Sequence, residues 1–287
     1  MRLSSRKNYR LLTPNNSPLT PNNSLNKKDM IKFSVITCTY QAENELQRTL
    51  DSVLMQRYKN VEHLIIDGAS TDQTVVMAKR YAALSAEKET GHEVVVSSEP
   101  DHGLYDAMNK GMQRATGDYV LFLNAGDSFP ENDTLELVAG SVGAYDVLPA
   151  VLYGDTHIVD DKGEFVRRRR LTPPRHLTWR SFLHGMLVCH QAFYARTDIA
   201  KVTPYLTKYR YSADVDWCIR IMKEAARRHL PLRNVQAVVA NYLDGGMTDQ
   251  NHQASLKERF HVMASHYGYL PTLVMHGWFV IRSVFKR

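Results

Sequence analysis

Leu64-Ile-Ile-Asp67-Gly-Ala-Ser-Thr-Asp72 is the stretch that decides the fold: an apolar run ends in a carboxylate and passes at once into a polar turn. The same design occurs before it, where Phe33-Ser-Val-Ile-Thr-Cys-Thr-Tyr40 ends in an aromatic, and after it, where Tyr119-Val-Leu-Phe-Leu123 runs into Asn124-Ala-Gly-Asp127. Short apolar runs bounded by turn residues read as buried strands. The segments between them read as helices. Near 44–57, Leu46, Leu50, Val53 and Leu54 make one apolar face at helical spacing. Further helices are expected near 72–84 and 104–115, the latter ended by Gly117, with strands at 33–38, 62–66, 93–97 and 119–123. Strand and helix in strict alternation predict an α/β fold with a Rossmann-like, mostly parallel sheet and helices on both faces. Carboxylates at the carboxyl ends of successive strands lie where an open α/β sheet places its ligand site.

Composition narrows the class. The chain has 287 residues, 44% of them hydrophobic and 9% aromatic, enough for one large domain or slightly more. Its net charge of +6 misleads, because residues 1–29 carry six basic side chains against Asp29 and so account for five of those charges. The remainder is nearly neutral, and no nucleic-acid partner is expected. Its basic residues are nevertheless clustered: Arg167 to Arg170 is a run of four, followed by Arg175 and Arg180. The run reads either as a solvated strand edge or as a contact for phosphate, on a donor or on a lipid-linked acceptor. Cys38, Cys189 and Cys218 are odd in number and widely spaced, giving neither a disulfide framework nor a CxxC metal site, which suits a reduced, cytoplasmic setting. The basic N-terminal residues are not followed by an apolar stretch, so no secretory signal is expected.

The chain divides by pattern. Residues 1–29 read as a disordered tail, in which Thr13-Pro-Asn-Asn-Ser17 recurs as Thr20-Pro-Asn-Asn-Ser24, and Pro, Asn and Ser at this density build no core. Residues 30–128 form the alternating half. Over 129–250 the alternation gives way to short strands at 151–159, 164–170, 189–195 and 233–240 and a helix near 214–228, a smaller mixed layer that would shape the acceptor side. Residues 251–287 read as C-terminal helices, a polar one at 252–267 and an apolar, aromatic one at 271–285. The second is too short to span a bilayer. It either packs on the core or lies in a membrane interface with Trp278 and Phe279 on the buried side, which would make the protein peripheral on the inner face of the cell membrane.

Taken in order, five motifs carry a resemblance. They are Ser34-Val-Ile-Thr-Cys-Thr-Tyr40, Asp51-Ser-Val-Leu-Met-Gln56, Ile65-Ile-Asp67-Gly-Ala-Ser-Thr-Asp72, Glu99-Pro-Asp-His-Gly-Leu-Tyr-Asp-Ala-Met-Asn-Lys-Gly111 and Gly117-Asp-Tyr-Val-Leu-Phe-Leu-Asn-Ala-Gly-Asp127. With them residues 31–128 resemble the nucleotide-binding half of a family 2 glycosyltransferase of the GT-A fold, of the kind that builds bacterial cell-surface polysaccharides. His190-Gln191, Asp214-Val-Asp216-Trp217 and Gly245-Gly246-Met247-Thr248 extend the likeness into the second half.

The resemblance implies roles. Cys38, Tyr40 and Asp67 would line the nucleoside pocket, the aromatic giving a flat contact and the acid reading a base edge compatible with uracil; Tyr40 as a surface aromatic and Asp67 as a helix cap are the structural alternatives. Asp101 and Asp106 would meet the donor sugar or cap a helix. Asp127 would hold Mg²⁺ or Mn²⁺ together with substrate phosphates. Two departures stand out, Gly68 and Gly126, since many members carry an acid at each. Asp214 would be the base that takes the acceptor proton, with Asp216 as runner-up, although a helix start disfavours a raised carboxyl pKa. His184, His190 and Gln191 would touch acceptor or phosphate, with structural histidines as the alternative, and the Gly245-Gly246 loop would act as a lid or be a surface turn.

The expected activity is therefore metal-dependent, inverting transfer from a nucleoside-diphosphate sugar, UDP favoured, to a glycan or lipid-linked acceptor. A dinucleotide-dependent oxidoreductase is disfavoured because the first turn, Thr39-Tyr-Gln-Ala-Glu-Asn44, has no glycine. A glycosyltransferase-like scaffold subunit without catalysis stays open, kept so by Gly68 and Gly126.

Overall fold

A computed structural model describes residues 31–142, 147–245 and 252–284, which belong to one compact unit. The expected tail, and Gly246 to Thr248 of the expected lid, lie outside the described residues.

Strands β1 (Phe33–Thr39) and β2 (Val61–Asp67) are buried along their whole length, which is why both are continuous apolar runs rather than alternating ones. β3 (Glu93–Ser98) alternates in exposure, as an edge strand does, and β4 (Tyr119–Phe122) is again fully buried. These four pair in parallel in the order β3-β2-β1-β4. Helices α1 (Leu46–Leu54) and α2 (Thr74–Glu87) enclose a core of Leu46, Leu50, Leu54, Ile65, Ala78 and Tyr81. Helix α3 (Leu104–Arg114) packs against β1 and β2 through Gly111, which faces Ile36 and Ile66. Ile65 and Ile66 point to opposite faces of β2, so the two helix layers cover both sides of the sheet.

The second half continues the same sheet with mixed directions. β7 (Phe193–Arg196) joins β4 antiparallel, β5 (Val151–Val159) joins β7 antiparallel, and β5 pairs with both β6 (Phe165–Arg168) and the long β8 (Leu232–Leu243). Helices α4 (Thr134–Ser141) and α5 (Thr197–Val202) are short and were not foreseen; neither is long enough to show a periodic apolar face. The strand expected at 189–195 is shorter than its pattern suggested. His190–Ala192 forms a 3-10 turn and pairing begins only at Phe193.

Helix α6 (Ala213–Arg227) is anchored by Trp217, which is fully buried and packs edge-on against Phe122 and Phe193. Tyr205 stacks on Trp217 at 4.8 Å, and Tyr105 of α3 stacks on Tyr205. Helices α7 (His252–Tyr267) and α8 (Tyr269–Val284) follow as a pair. Phe279 turns inward on α8, 5.5 Å from the His276 ring, whereas Trp278 faces out, so the two aromatics do not share a face as expected. Among the described residues no helix is long and apolar enough to cross a membrane.

Candidate active site

The strand order reverses at β1, between β2 and β4, and a cleft of about 730 Å³ opens outside the carboxyl ends of these strands. Cys38, Tyr40, Asp101, Asp127, His190, Gln191 and Asp214 all line it. Asp67, Asp106 and Asp216 do not.

Asp67 is instead a junction. Its carboxylate accepts from the Thr39 hydroxyl (3.0 Å), the Ser70 amide (2.9 Å), the Ser70 hydroxyl (2.5 Å) and the Ser98 hydroxyl (2.6 Å), and it is 1% exposed. With both oxygens occupied by protein donors, it ties the ends of β1, β2 and β3 together. Gln41 adds a second clasp, its side chain bonding to Thr71 and to the Asp72 amide. Asp106 accepts from the His102 amide (3.1 Å) and faces Lys110 in the first turn of α3. Asp216 is buried between Arg220 Nε (2.7 Å) and His266 Nε2 (2.9 Å). It is an internal ion-pair member joining α6 to α7, which answers the question of which acid of Asp214-Val-Asp216 faces the cleft.

The residues that do converge fall into two groups. Tyr40, just past the end of β1, is 68% exposed and lines the cleft. Beside it, Asp101 occupies the space that a side chain at position 68 would need: a Cβ on Gly68 would lie 2.5 Å from Asp101 Oδ2 and 3.4 Å from Tyr40 Cδ2. The acid absent at Gly68 is thus replaced in space by one from the end of β3. Cys38 forms the floor, and burial pushes its thiol far up, so it is a wall rather than a nucleophile.

Asp127 is the deepest acid, 4% exposed. Gln191 Nε2 donates to its Oδ2 (2.8 Å) and the Leu243 amide to its Oδ1 (3.1 Å). Burial pushes its pKa up to about 6 against these two bonds. The preceding turn is held by Thr49 of α1, whose hydroxyl bonds to Gly126 N and to the Asp127 carbonyl. Gly126 has φ +95°, and a Cβ there would come within 2.6 Å of Leu243, so this turn has no room for a second acid.

Among the described residues no group of three or more His, Cys, Asp or Glu is arranged to hold a metal ion. Asp127 fits the role of single protein ligand. Each of its oxygens takes one protein hydrogen bond and keeps a lone pair, and Mg²⁺ is commonly held by one carboxylate, waters and substrate phosphates.

Asp214 opens α6 and is 18% exposed. His190 Nδ1 lies 3.6 Å from its Oδ2, and His190 Nε2 faces Asn124 Nδ2 at 3.4 Å. Burial raises the Asp214 pKa, but His190, Arg259 and the Val215 amide outweigh that and leave it below the usual carboxylate range. The helix start is capped from outside. The Ser212 side chain makes no cap bond; instead Glu258 of α7 accepts from the amides of Arg210 (2.8 Å), Tyr211 (2.7 Å) and Ser212 (2.6 Å).

The cleft also holds cations. Arg167, Arg169, Arg170, Arg210 and Arg259 line it. Alternation along β6 separates Arg167 from Arg168, which lines a separate cavity of about 660 Å³ with Arg175 and His157, while Arg169 and Arg170 follow the end of the strand. Arg210 and Arg259 carried no sequence signal, since they sit in unremarkable polar contexts and reach the cleft only through the packing of α7 on α6. Arg167 is paired with Asp244 at 2.8 Å, while Arg259 Nε is buried without a hydrogen-bond partner among the described residues.

Comparisons with known proteins agree with this geometry. A family model described as "Glycosyl transferase family 2" matches residues 34–203. Over 219 residues the chain is 35% identical to the PGL/p-HBAD biosynthesis glycosyltransferase of Mycobacterium bovis, covering 76% of this chain and 79% of that protein. S. aureus TarS in complex with UDP-GlcNAc shares the fold with a TM-score of 0.63 at 17% identity, over 82% of this chain and 66% of that one, so this chain spans just under two thirds of it. The mannosyltransferase PcManGT from Pyrobaculum calidifontis, in complex with GDP-Man and Mn²⁺, matches with a TM-score of 0.61 at 17% identity, over 88% of this chain and 70% of that one.

Proposed function

The chain belongs to glycosyl transferase family 2, and from that membership we propose that it moves a sugar from a nucleoside-diphosphate sugar to an acceptor hydroxyl with inversion at the anomeric carbon. The observation that carries this reading is the grouping in one cleft of an exposed ring and acid (Tyr40, Asp101), a deep carboxylate (Asp127) and an ionised carboxylate facing a histidine (Asp214, His190). Residues 31–128 act as the donor half and 129–250 as the acceptor half.

In this mechanism Tyr40 stacks on the base and Asp101 takes a hydroxyl of the nucleoside or sugar. UDP is the favoured nucleotide, and the UDP-GlcNAc and GDP-Man of the structural neighbours support a nucleotide sugar as the donor class. The arginines lining the cleft offset charge that accumulates on the leaving diphosphate. Mg²⁺ or Mn²⁺, held by Asp127, would add Lewis-acid stabilisation of the same group. Asp214 accepts the proton of the acceptor hydroxyl as its oxygen attacks the anomeric carbon and the bond to the diphosphate breaks. A carboxylate held below its ordinary pKa removes the proton as the new bond forms, when the hydroxyl has become acidic. His190 orients that carboxylate. No protein nucleophile is needed, so an α-linked donor gives a β-linked product. The acceptor is a lipid-linked or growing glycan, a reading supported by the biosynthetic name of the mycobacterial relative, PGL/p-HBAD biosynthesis glycosyltransferase.

The test is nucleotide release from UDP-, GDP- and dTDP-sugars, with Mn²⁺ or EDTA, on the wild type and Asp127→Ala. Release from one donor that is lost with EDTA and in the variant supports the reading. No release and no thermal stabilisation by any nucleotide would favour a non-catalytic scaffold.

A further inference from the structure

Helix α8 is amphipathic in the reverse sense for a helix packed on a core. Thr272, His276 and Phe279 turn toward the protein, and the helix rests on α7 and on the 3-10 segment Trp179–His184. Its other side exposes Leu270, Leu273, Val274, Trp278 and Ile281, each between 48% and 73% accessible. At 100° per residue these side chains form one continuous stripe wide enough to be a binding face. No described residue covers it.

The charge pattern selects the occupant. From Tyr269 to Arg287 the sequence contains Arg282, Lys286 and Arg287 and no aspartate or glutamate. An apolar stripe with tyrosine and tryptophan, ending in cations alone, complements a bilayer surface that carries anionic lipid. The helix has 16 residues, or about 24 Å, against about 30 Å of hydrocarbon, so it would lie in the interface plane rather than cross it.

The helix also stands beside the cleft. A Cβ built on Gly185 would lie 2.9 Å from Leu171 Cδ1 and 4.0 Å from Phe279 Cζ, and both Leu171 and Met186 line the cleft. Arg169 donates to the Met186 carbonyl at the same rim.

We propose that the outward face of α8 docks on an anionic membrane surface, with the helix axis in the membrane plane and the rim formed by Leu171 and Met186 turned toward the headgroups. The docking stands without the transfer reading; its consequence, that the acceptor is drawn from the membrane plane, rests on it.

The experiment is flotation of the full chain with vesicles of phosphatidylcholine alone and with one quarter phosphatidylglycerol, on the wild type and a Leu273→Glu/Trp278→Glu variant. Light scattering of both proteins without vesicles gives their oligomeric state, and nucleotide binding shows that the variant is folded. The expected result is flotation with the mixed vesicles, weakened by added salt and reduced about tenfold or more in the variant, with nucleotide binding retained. Equal flotation of wild type and variant, or no flotation of the wild type, overturns the proposal. So does a wild-type dimer that the variant converts to monomer, which would make the stripe an interface between copies. Because nucleotide binding and donor turnover are read separately, failure of docking leaves the transferase reading intact, and the reverse also holds.

Discussion

His190 Nδ1 lies 3.6 Å from Asp214 Oδ2, a 3-10 turn and a helix start brought face to face. The histidine is one of the groups that hold the carboxyl pKa down, so its removal has a signed consequence. In His190→Ala the Asp214 pKa rises, and the loss of kcat/KM on acidification begins at a higher pH than in the wild type. A pH–rate profile of both proteins checks this; an unmoved acid limb would mean that His190 does not act on Asp214.

Asp214→Asn retains the shape of the side chain and removes the base. The expected result is a drop in kcat of about 10²- to 10⁴-fold with nucleotide affinity unchanged, measured by turnover and calorimetry. Asp216→Asn should differ in kind. It breaks a buried ion pair with Arg220 and alters the hydrogen bond with His266, so stability falls first, seen as a lower thermal midpoint.

Asp127 carries a stability signature. Its folded pKa, about 6, lies above the unfolded value, so the folded state binds the proton more tightly and stability falls as pH rises from about 4 to about 6. Asparagine cannot ionise. The stability of Asp127→Asn relative to the wild type should therefore improve by up to about 3 kcal/mol between about pH 4 and pH 7, while activity is lost. Urea unfolding at the two pH values, without added metal, measures the difference.

Asp101 and Gly68 form an exchangeable pair. Asp101→Ala should weaken nucleotide binding about tenfold, the scale of one lost charge-assisted hydrogen bond. Gly68→Asp alone should also weaken it, because the new carboxylate collides with Asp101 Oδ2. The double variant Gly68→Asp/Asp101→Gly should recover part of the loss. If titration calorimetry finds the two effects simply additive, the two positions do not share one space.

Glu258 caps α6 from another helix, and Glu258→Ala leaves three amides without their partner. The expected cost is about 1–3 kcal/mol in urea unfolding, accompanied by a fall in kcat because Asp214 sits in the turn that is released. A stability loss with kcat unchanged would show that the cap does not position the base.

The parallel half of the sheet was legible because both faces of β1, β2 and β4 are covered by other elements, and only continuous apolar runs satisfy that. α4 and α5 escaped notice because helices of six to eight residues have too few turns to show a period. His190 and Gln191 line the cleft, but from a 3-10 turn rather than the strand their pattern predicts, since a single turn beside Phe193 continues the same apolar run as the strand it precedes. Phe279 was placed outward with Trp278, although adjacent residues of a helix point about 100° apart and the packing of α8 sends one in and the other out.

By itself the sequence determined the alternation of strand and helix, the parallel order that follows from it, the cleft at the carboxyl ends of the strands and the acids Asp101, Asp127 and Asp214 within reach of it. These depend on local periodicity and on the chirality of βαβ connections, both written residue by residue. Tertiary structure alone decided which carboxylates line the cleft. Asp67 and Asp216 look as functional in the sequence as Asp127 and Asp214, but Asp67 has each oxygen bonded twice, by Thr39, Ser70 and Ser98, and Asp216 points away from the cleft to Arg220 and His266. A carboxylate binds a substrate only with the acceptor capacity that its neighbours leave, and those neighbours are chosen by packing.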